Sequence, residues 1–215
     1  MRPDPLDYPF WLASRSAGVV AYVLLSASVV LGLVMATRLA PARARADVRV
    51  LHERVALLAL GAVATHGLLL VPDPWLHPGV GVVLIPFTTG YRAVWTGLGI
   101  CAAYLAAGLS LTYYARRRLG TRRWRAAHRF IPFAWALAAA HVIGAGTDAV
   151  SLWLEVILAA TMAAIVVLLA QRWLARRALP TRTKPEPEPE PELEPEPAEP
   201  AQPARKYAGE LGLFR

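Results

Sequence analysis

Five long apolar stretches limit what this chain can fold into. Each comes close to the roughly 20 residues that a helix needs to cross a bilayer, and they cover residues 14–37, 51–71, 92–115, 126–144 and 152–173. Hydrophobic residues make up 56% of the 215-residue chain, above the roughly 45–50% that is usual in soluble domains. We therefore predict an all-α integral membrane protein, a bundle of five transmembrane helices surrounded by a lipid bilayer.

The placement of arginines predicts the orientation of this bundle. Lys and Arg accumulate in short cytoplasmic loops, and most arginines here flank the first and third connections or follow the last apolar stretch. These are Arg38, Arg43, Arg45, Arg49, Arg54, Arg116, Arg117, Arg118, Arg122, Arg123, Arg125, Arg129, Arg172, Arg176 and Arg177. The other side has only Arg2, Arg15 and Arg92. This predicts a multi-pass protein of a bacterial-type plasma membrane, with the external N-terminal segment 1–13 outside and the C-terminus in the cytoplasm.

The opening segment, the net charge and the cysteine count argue against a cleaved secretory signal, nucleic-acid binding and an intrachain disulfide. MRPDPLDYPFW carries acids and prolines where a secretory signal would be basic, and no small-residue cleavage site follows the first apolar stretch, so that helix is expected to stay as an anchor. The net charge of +8 does not indicate nucleic-acid binding, because the arginines sit at helix ends. The single cysteine, Cys101, allows no disulfide within the chain.

Four histidines lie within the second and fourth apolar stretches. His52 and His66 are 14 positions apart, which places them roughly 21 Å apart along a helix and within about 40° of one another around it. His128 and His141 are 13 positions apart. Thirteen steps rotate an ideal helix by about 220°, and Pro132, between them, is expected to distort that helix and realign the two rings. We predict two pairs at two depths, His52 with His128 near the cytoplasm and His66 with His141 near the outside.

Paired histidines inside a membrane suggest haem. A neutral imidazole nitrogen is a strong axial ligand of haem iron, and a histidine within a span is costly unless it is partnered. Zinc is disfavoured, because each depth offers two ligands and no nearby Cys or acid completes a tetrahedron at both. Arg125 or Arg129, beside His128, is expected to pair with a carboxylate of a bound cofactor at the inner site. Arg92 is a candidate to neutralise an acidic ligand group at the outer site.

The connection after the second apolar stretch, residues 72–91, is rich in Pro and Gly and could cap the outer site. The fifth histidine, His77, lies in it and is expected to be an exposed or interfacial loop residue. Beyond residue 177 the composition changes to alternating Pro and Glu, which cannot bury apolar area and favours an extended backbone. We predict a disordered Pro/Glu-rich cytoplasmic linker at 178–206 and a short docking peptide, or a frayed tail, at 207–215.

The quartet of His52, His66, His128 and His141 resembles the ferric reductase-like transmembrane domain, which ferric reductases, NADPH oxidases and the haem subunit of the bacterial methionine sulfoxide reductase system share. The resemblance covers roughly Ala13 to Trp173, most of it in a predicted haem domain at 14–177, and RRWRAAHRF is similar to the basic segment by which the family enters its second haem-binding helix. It implies two b-type haems, with His52 and His128 as ligands of the inner one and His66 and His141 of the outer one. The family core has six helices, and here the first has no counterpart.

The resemblance implies the membrane haem subunit of an oxidoreductase. Many family members continue into a flavin- and nicotinamide-binding domain, whereas this sequence has no GxGxxG segment. Electrons are therefore expected from a separate cytoplasmic reductase or flavoprotein, or from quinol, and flavin or quinone could be shared with that partner. The external acceptor could be ferric iron, oxygen or a redox partner protein. Two alternatives stay open: a quinone-linked diheme cytochrome b, and a non-redox membrane scaffold that recruits a partner through its acidic tail.

Overall fold

The computed structural model describes residues 9–37, 39–74 and 78–177, and this part of the chain is helical. Its eight α-helices are α1 (Pro9–Ala36), α2 (Arg45–Leu70), α3 (Gly79–Leu84), α4 (Ala93–Leu111), α5 (Arg116–Leu119), α6 (Thr121–His128), α7 (Ile131–Ala145) and α8 (Leu152–Arg177). Five helical segments are long and apolar enough to cross a membrane: α1, α2, α4, α8 and the combined stretch of α6 and α7. The prediction of an all-helical protein with five candidate spans is confirmed.

Two antiparallel helix pairs organise the described residues. α1 packs along α2, with Ser14 beside His66 near one end and Ser28 beside His52 near the other. α4 packs along α7, and Trp95 of α4 contacts His141 of α7. Each pair therefore joins one helix that carries histidines to one that carries none.

The buried core lies where α1 meets α7 and α8. Tyr22, Val29 and Leu33 of α1 pack there with Trp135 of α7 and Leu154, Leu158 and Ile165 of α8. Two hydrogen bonds satisfy polar groups in this core: the Tyr22 hydroxyl lies 2.7 Å from the Thr161 hydroxyl, and Trp135 Nε1 donates to Ser26 Oγ at 2.8 Å. Satisfying them matters because an unpaired polar group in an apolar setting is costly.

The outer faces of the long helices carry large apolar side chains. Val20, Leu58, Val94, Phe133 and Val156 are all at least half exposed. A water-soluble monomer rarely leaves so much apolar surface uncovered, whereas helices that face lipid tails require it. This distribution agrees with a membrane protein.

The helix bounds differ from the predicted spans at two places. α1 begins at Pro9, so the end of the segment predicted as external (1–13) is helical. The predicted fourth span is two helices, because α6 ends at His128 and α7 begins at Ile131, with Pro132 in its first turn. The expected distortion between His128 and His141 is thus a break just ahead of Pro132. Residues 1–8, His77 and the predicted linker and docking peptide lie outside the described residues.

Candidate functional site

The structure brings the four histidines together in two pairs. His52 of α2 faces His128 of α6, with ring centres 6.2 Å apart and ring planes at 89°. His66 of α2 faces His141 of α7, with ring centres also 6.2 Å apart and planes at 69°. These are the pairs that the spacing predicts, and the break between α6 and α7 lets His128 and His141 both turn toward α2. All four side chains are partly buried.

Each imidazole uses its Nδ1 atom to donate to a backbone carbonyl. Nδ1 of His66 donates to Ser14 at 2.7 Å and Nδ1 of His52 to Ser28 at 2.9 Å. Nδ1 of His141 donates to Trp95 at 3.0 Å, and the bond from His128 to Leu109 is long, at 3.4 Å.

These bonds assign the tautomer of every ring. A carbonyl oxygen can only accept, so Nδ1 must carry the hydrogen, and in a neutral imidazole the lone pair is then on Nε2. Metal-binding histidines are commonly oriented in this way, with the second ring nitrogen fixed by a backbone or carboxylate acceptor. Nε2 of all four rings is therefore the atom that could bind a metal.

Glycines on the neighbouring helix make room for three of the four rings. A Cβ atom added at Gly99 would lie 2.5 Å from Nδ1 of His141, and one at Gly18 would lie 2.9 Å from Nδ1 of His66. At Gly32 the nearest atom would be Cε1 of His52, at 3.3 Å. Each glycine lies four residues after the residue whose carbonyl accepts from Nδ1, so the ring crosses the helix where a side chain is missing.

α1 repeats this arrangement. Ser14 and Gly18 receive His66, and Ser28 and Gly32 receive His52. The two Ser-x-x-x-Gly segments are 14 residues apart, the same separation as His52 and His66. Since α1 and α2 run antiparallel, α1 has two equivalent Ser/Gly positions against which the two histidines of α2 pack. These two serines and two glycines have no role in the sequence predictions above, although a search for Ser-x-x-x-Gly repeated at the histidine spacing would have found them.

The separation of the ring centres fits a metal ion between each pair. Two imidazoles bound to opposite sides of one metal by bonds of about 2 Å have ring centres about 6 Å apart, because each nitrogen lies about 1 Å from its ring centre. Among the described residues, no group of three or more His, Cys, Asp or Glu side chains could hold a metal ion. Each pair therefore offers two ligands, which suits a metal whose remaining ligands come from a macrocycle.

A cavity of about 560 Å³ lies beside the His66–His141 pair. Its walls are mainly apolar and include Gly18, Gly99 and Tyr104 together with Val82 and Val83 of α3. The Tyr104 hydroxyl donates to the carbonyl of Leu84 at 2.7 Å, which ties α3 to α4. The connection predicted to cap this site thus contributes a wall of the cavity.

The three predicted arginines occupy other positions. Nε of Arg125 donates to the carbonyl of Thr121 in its own helix at 3.3 Å, and Arg129 is exposed beside His128. Nη1 of Arg92 donates to the carbonyl of Gly144 at 2.6 Å, at the C-terminal end of α7. Contacts of these arginines with a cofactor stay a prediction.

The sequence reasoning missed an ion pair and an aromatic cluster. Arg15 and Asp148 form a two-point ion pair that joins α1 to the segment before α8, and both side chains line the 560 Å³ cavity. At the arginine-rich end, the Trp124 ring packs between Tyr113 and His128, with ring centres 5.7 and 5.5 Å away. Tyr114, next to Tyr113, donates to Glu53 beside His52 at 2.9 Å.

Comparisons with known proteins found no match to this chain among family models, curated proteins or solved structures.

Proposed function

We propose that this protein transfers electrons across a membrane through two b-type haems, one held by His52 and His128 and the other by His66 and His141. The observation that carries the proposal is the geometry of the two pairs. Both have ring centres 6.2 Å apart, and all four rings donate from Nδ1 to a backbone carbonyl.

Haem fits these residues better than a simple metal ion. The porphyrin would supply most of the iron's ligands and each histidine pair the remaining two, so no third protein ligand would be needed. The apolar walls beside His66 and His141 suit the face of a macrocycle. When bound, haem would supply single-electron chemistry, and the two histidines of each pair would hold its iron.

The proposed direction of transfer follows from the arginines. Because Lys and Arg concentrate on the cytoplasmic side, the end with α5, α6 and the C-terminus of α8 would face the cytoplasm of a cell with a bacterial-type plasma membrane. The N-terminus would then be outside. The cofactor that His52 and His128 would hold is the one nearer the proposed cytoplasmic donor, a flavoprotein or quinol. The cofactor that His66 and His141 would hold is the one nearer the external acceptor, which could be ferric iron, oxygen or a redox protein. The ferric reductase-like domain is organised in this way, and the four histidines of this chain resemble its haem-binding histidines.

Electron transfer across a sealed vesicle tests this function. The purified full chain is supplied with haem, inserted into liposomes that enclose ferricyanide, and mixed with external dithionite. We expect trapped ferricyanide to be reduced in vesicles with the wild-type protein, and the rate to fall at least tenfold in His52→Ala or His66→Ala, because each change interrupts the relay. His77→Ala is the matched control, since His77 lies in the sequence between two predicted spans and not within one, and it should keep the wild-type rate. Reduction that continues at the wild-type rate without the paired histidines would overturn the proposal.

A further inference from the structure

We propose that the indole N–H of Trp124 binds a carboxylate of the cofactor held by His52 and His128, so that this pair selects a porphyrin with a free acidic side chain. The inference rests on the proposed function and deepens it, because it names the chemical group that the site recognises beyond the metal. It also assigns a binding role to a side chain outside the four histidines.

The observation behind this inference is a buried donor. Trp124 Nε1 is shielded from solvent, and no acceptor for it lies among the described residues of the chain. Buried N–H groups of tryptophan usually have a partner, and leaving one unpaired is costly. Trp135, the comparable tryptophan of the core, donates to Ser26. Trp124 therefore has a hydrogen-bonding capacity that a bound ligand could fill.

The position of Trp124 connects this donor to the histidine pair. Trp124 and His128 are four residues apart in α6 and so lie on the same helix face. Their ring centres are 5.5 Å apart and the ring planes differ by 31°. Tyr113 packs against the indole at 61°, which holds it in place. A ligand centred between His52 and His128 would have its edge within reach of this indole.

The charges around α6 favour an anion as the partner. The segment from Arg116 to Arg129 contains seven arginines and no acidic residue. Nε of Arg125 is bonded to Thr121, whereas the buried indole N–H beside the ring of His128 still needs an acceptor. The acidic side chains of a porphyrin are carboxylates, and hydrogen bonds to ionised acceptors are the stronger kind.

A ligand with blocked carboxylates tests the inference directly. His66→Ala/His141→Ala leaves one histidine pair, and this variant is titrated in detergent with haem and with haem dimethyl ester, following the absorption band of the bound form. We expect the ester to bind about tenfold more weakly, because it accepts a weaker hydrogen bond than a carboxylate. Adding Trp124→Phe should weaken haem binding about tenfold and abolish the preference over the ester.

Trp153→Phe is the matched control, since Trp153 is exposed at the start of α8, and it should keep the preference. In the chain with all four histidines, Trp124→Phe should weaken one haem site and leave the other unchanged. Equal affinity for haem and ester before the tryptophan is changed would overturn the inference. If Trp124→Phe lowers the affinity for haem and for the ester equally, the inference is also overturned, because the indole would then act only by packing against the site. If neither ligand binds any variant, the proposed function fails and this inference fails with it.

Discussion

The two histidine pairs have the same separation but are held in different ways. His66 and His141 each lie over a glycine of the neighbouring helix, Gly18 and Gly99, and both donate short bonds to carbonyls of those helices. In the other pair only His52 has such a glycine, Gly32. His128 makes a long bond of 3.4 Å and packs against an aromatic ring instead.

This difference shows that the same separation of two histidine rings can be built in two ways. The His66–His141 pair is set by close packing of four long helices, so its geometry depends on backbone positions that a single methyl group can disturb. The His52–His128 pair depends on α6, a short helix whose position is set by the break before α7 and by Trp124. We therefore expect the first of these pairs to be sensitive to changes in helix packing and the second to changes in α6.

The largest expected effect is on haem content, when the glycines beside the histidine rings are replaced by alanine. Gly99→Ala should remove the haem that we propose for His66 and His141 and leave about one haem per chain, because the added methyl group would occupy the space of the His141 ring and overpacking is costly. Gly18→Ala should weaken the same site less, and Gly32→Ala, where the added Cβ would be 3.3 Å from His52, should have the smallest effect. A pyridine haemochrome assay on the purified variants measures this series.

Gly108→Ala in α4 and Gly61→Ala in α2 are the controls for the glycine series. A Cβ atom at either position would meet nothing within 4 Å, and alanine favours a helix over glycine by up to about 1 kcal/mol. Both variants should keep the wild-type haem content. Loss of haem in these controls equal to the loss in Gly99→Ala would show that the close approach to the histidines is not the cause.

A smaller effect, on the midpoint potential of one haem, is expected when the Ser14 hydroxyl is removed. Ser14 Oγ donates to the carbonyl of His66 at 2.8 Å and accepts from its Nδ1 at 3.0 Å, whereas Ser28 Oγ lies 3.3 Å from Nδ1 of His52. Acceptors at Nδ1 make the imidazole a stronger electron donor to the metal. Ser14→Ala should therefore raise the midpoint potential of one haem and lower the unfolding free energy by about 1 kcal/mol.

Redox titration of Ser14→Ala and Ser28→Ala in parallel tests whether each serine affects only its own histidine pair. We expect the shift in Ser28→Ala to have the same sign, to be smaller, and to affect the other haem. Shifts of equal size, or shifts of the same haem in both variants, would contradict the assignment of one serine to each pair.

The smallest effect is expected at Tyr114, which joins the end of α4 to α2 near the His52–His128 pair. The hydrogen bond to Glu53 raises the pKa of the Tyr114 hydroxyl above its usual value of about 10. Because the folded state holds this proton more tightly, the contribution of the bond is present at lower pH and is lost as the pH rises through the raised pKa. Tyr114→Phe should reduce the loss of thermal stability between about pH 9 and pH 11, measured by melting curves. An unchanged alkaline profile would show that this bond is not made in solution.

The sequence predicted the parts of this structure that depend on spacing along one helix. The five candidate spans followed from apolar length, and the association of His52 with His128 and of His66 with His141 followed from matched depths on two helices. The spans need no knowledge of contacts between helices, and the pairing needs only the assumption that the two histidine-bearing stretches face each other.

Features that depend on contacts between helices were not predictable in the same way. Gly18, Gly32 and Gly99 matter because a histidine of another helix crosses them. The repeated Ser-x-x-x-Gly pattern marks Gly18 and Gly32 only once the histidine spacing is compared with it, and no such pattern marks Gly99. Trp124 lies among arginines, and the sequence instead indicated Arg125 and Arg129, because their charge is the more obvious partner for a carboxylate. The break before α7 was expected only as a distortion at Pro132, because a single proline predicts a disturbance of the helix but not where the helix ends.

The central claim is that each histidine pair holds one haem, and counting haems in paired variants tests it most directly. The wild-type chain, expressed with added haem and purified in detergent, should hold about two low-spin b-type haems by reduced-minus-oxidised spectrum and pyridine haemochrome assay. The double variant His52→Ala/His128→Ala should hold about one, the same as either single variant, whereas His52→Ala/His66→Ala should hold none. A colourless wild-type protein, or haem retained after all four histidines are replaced, would contradict the account.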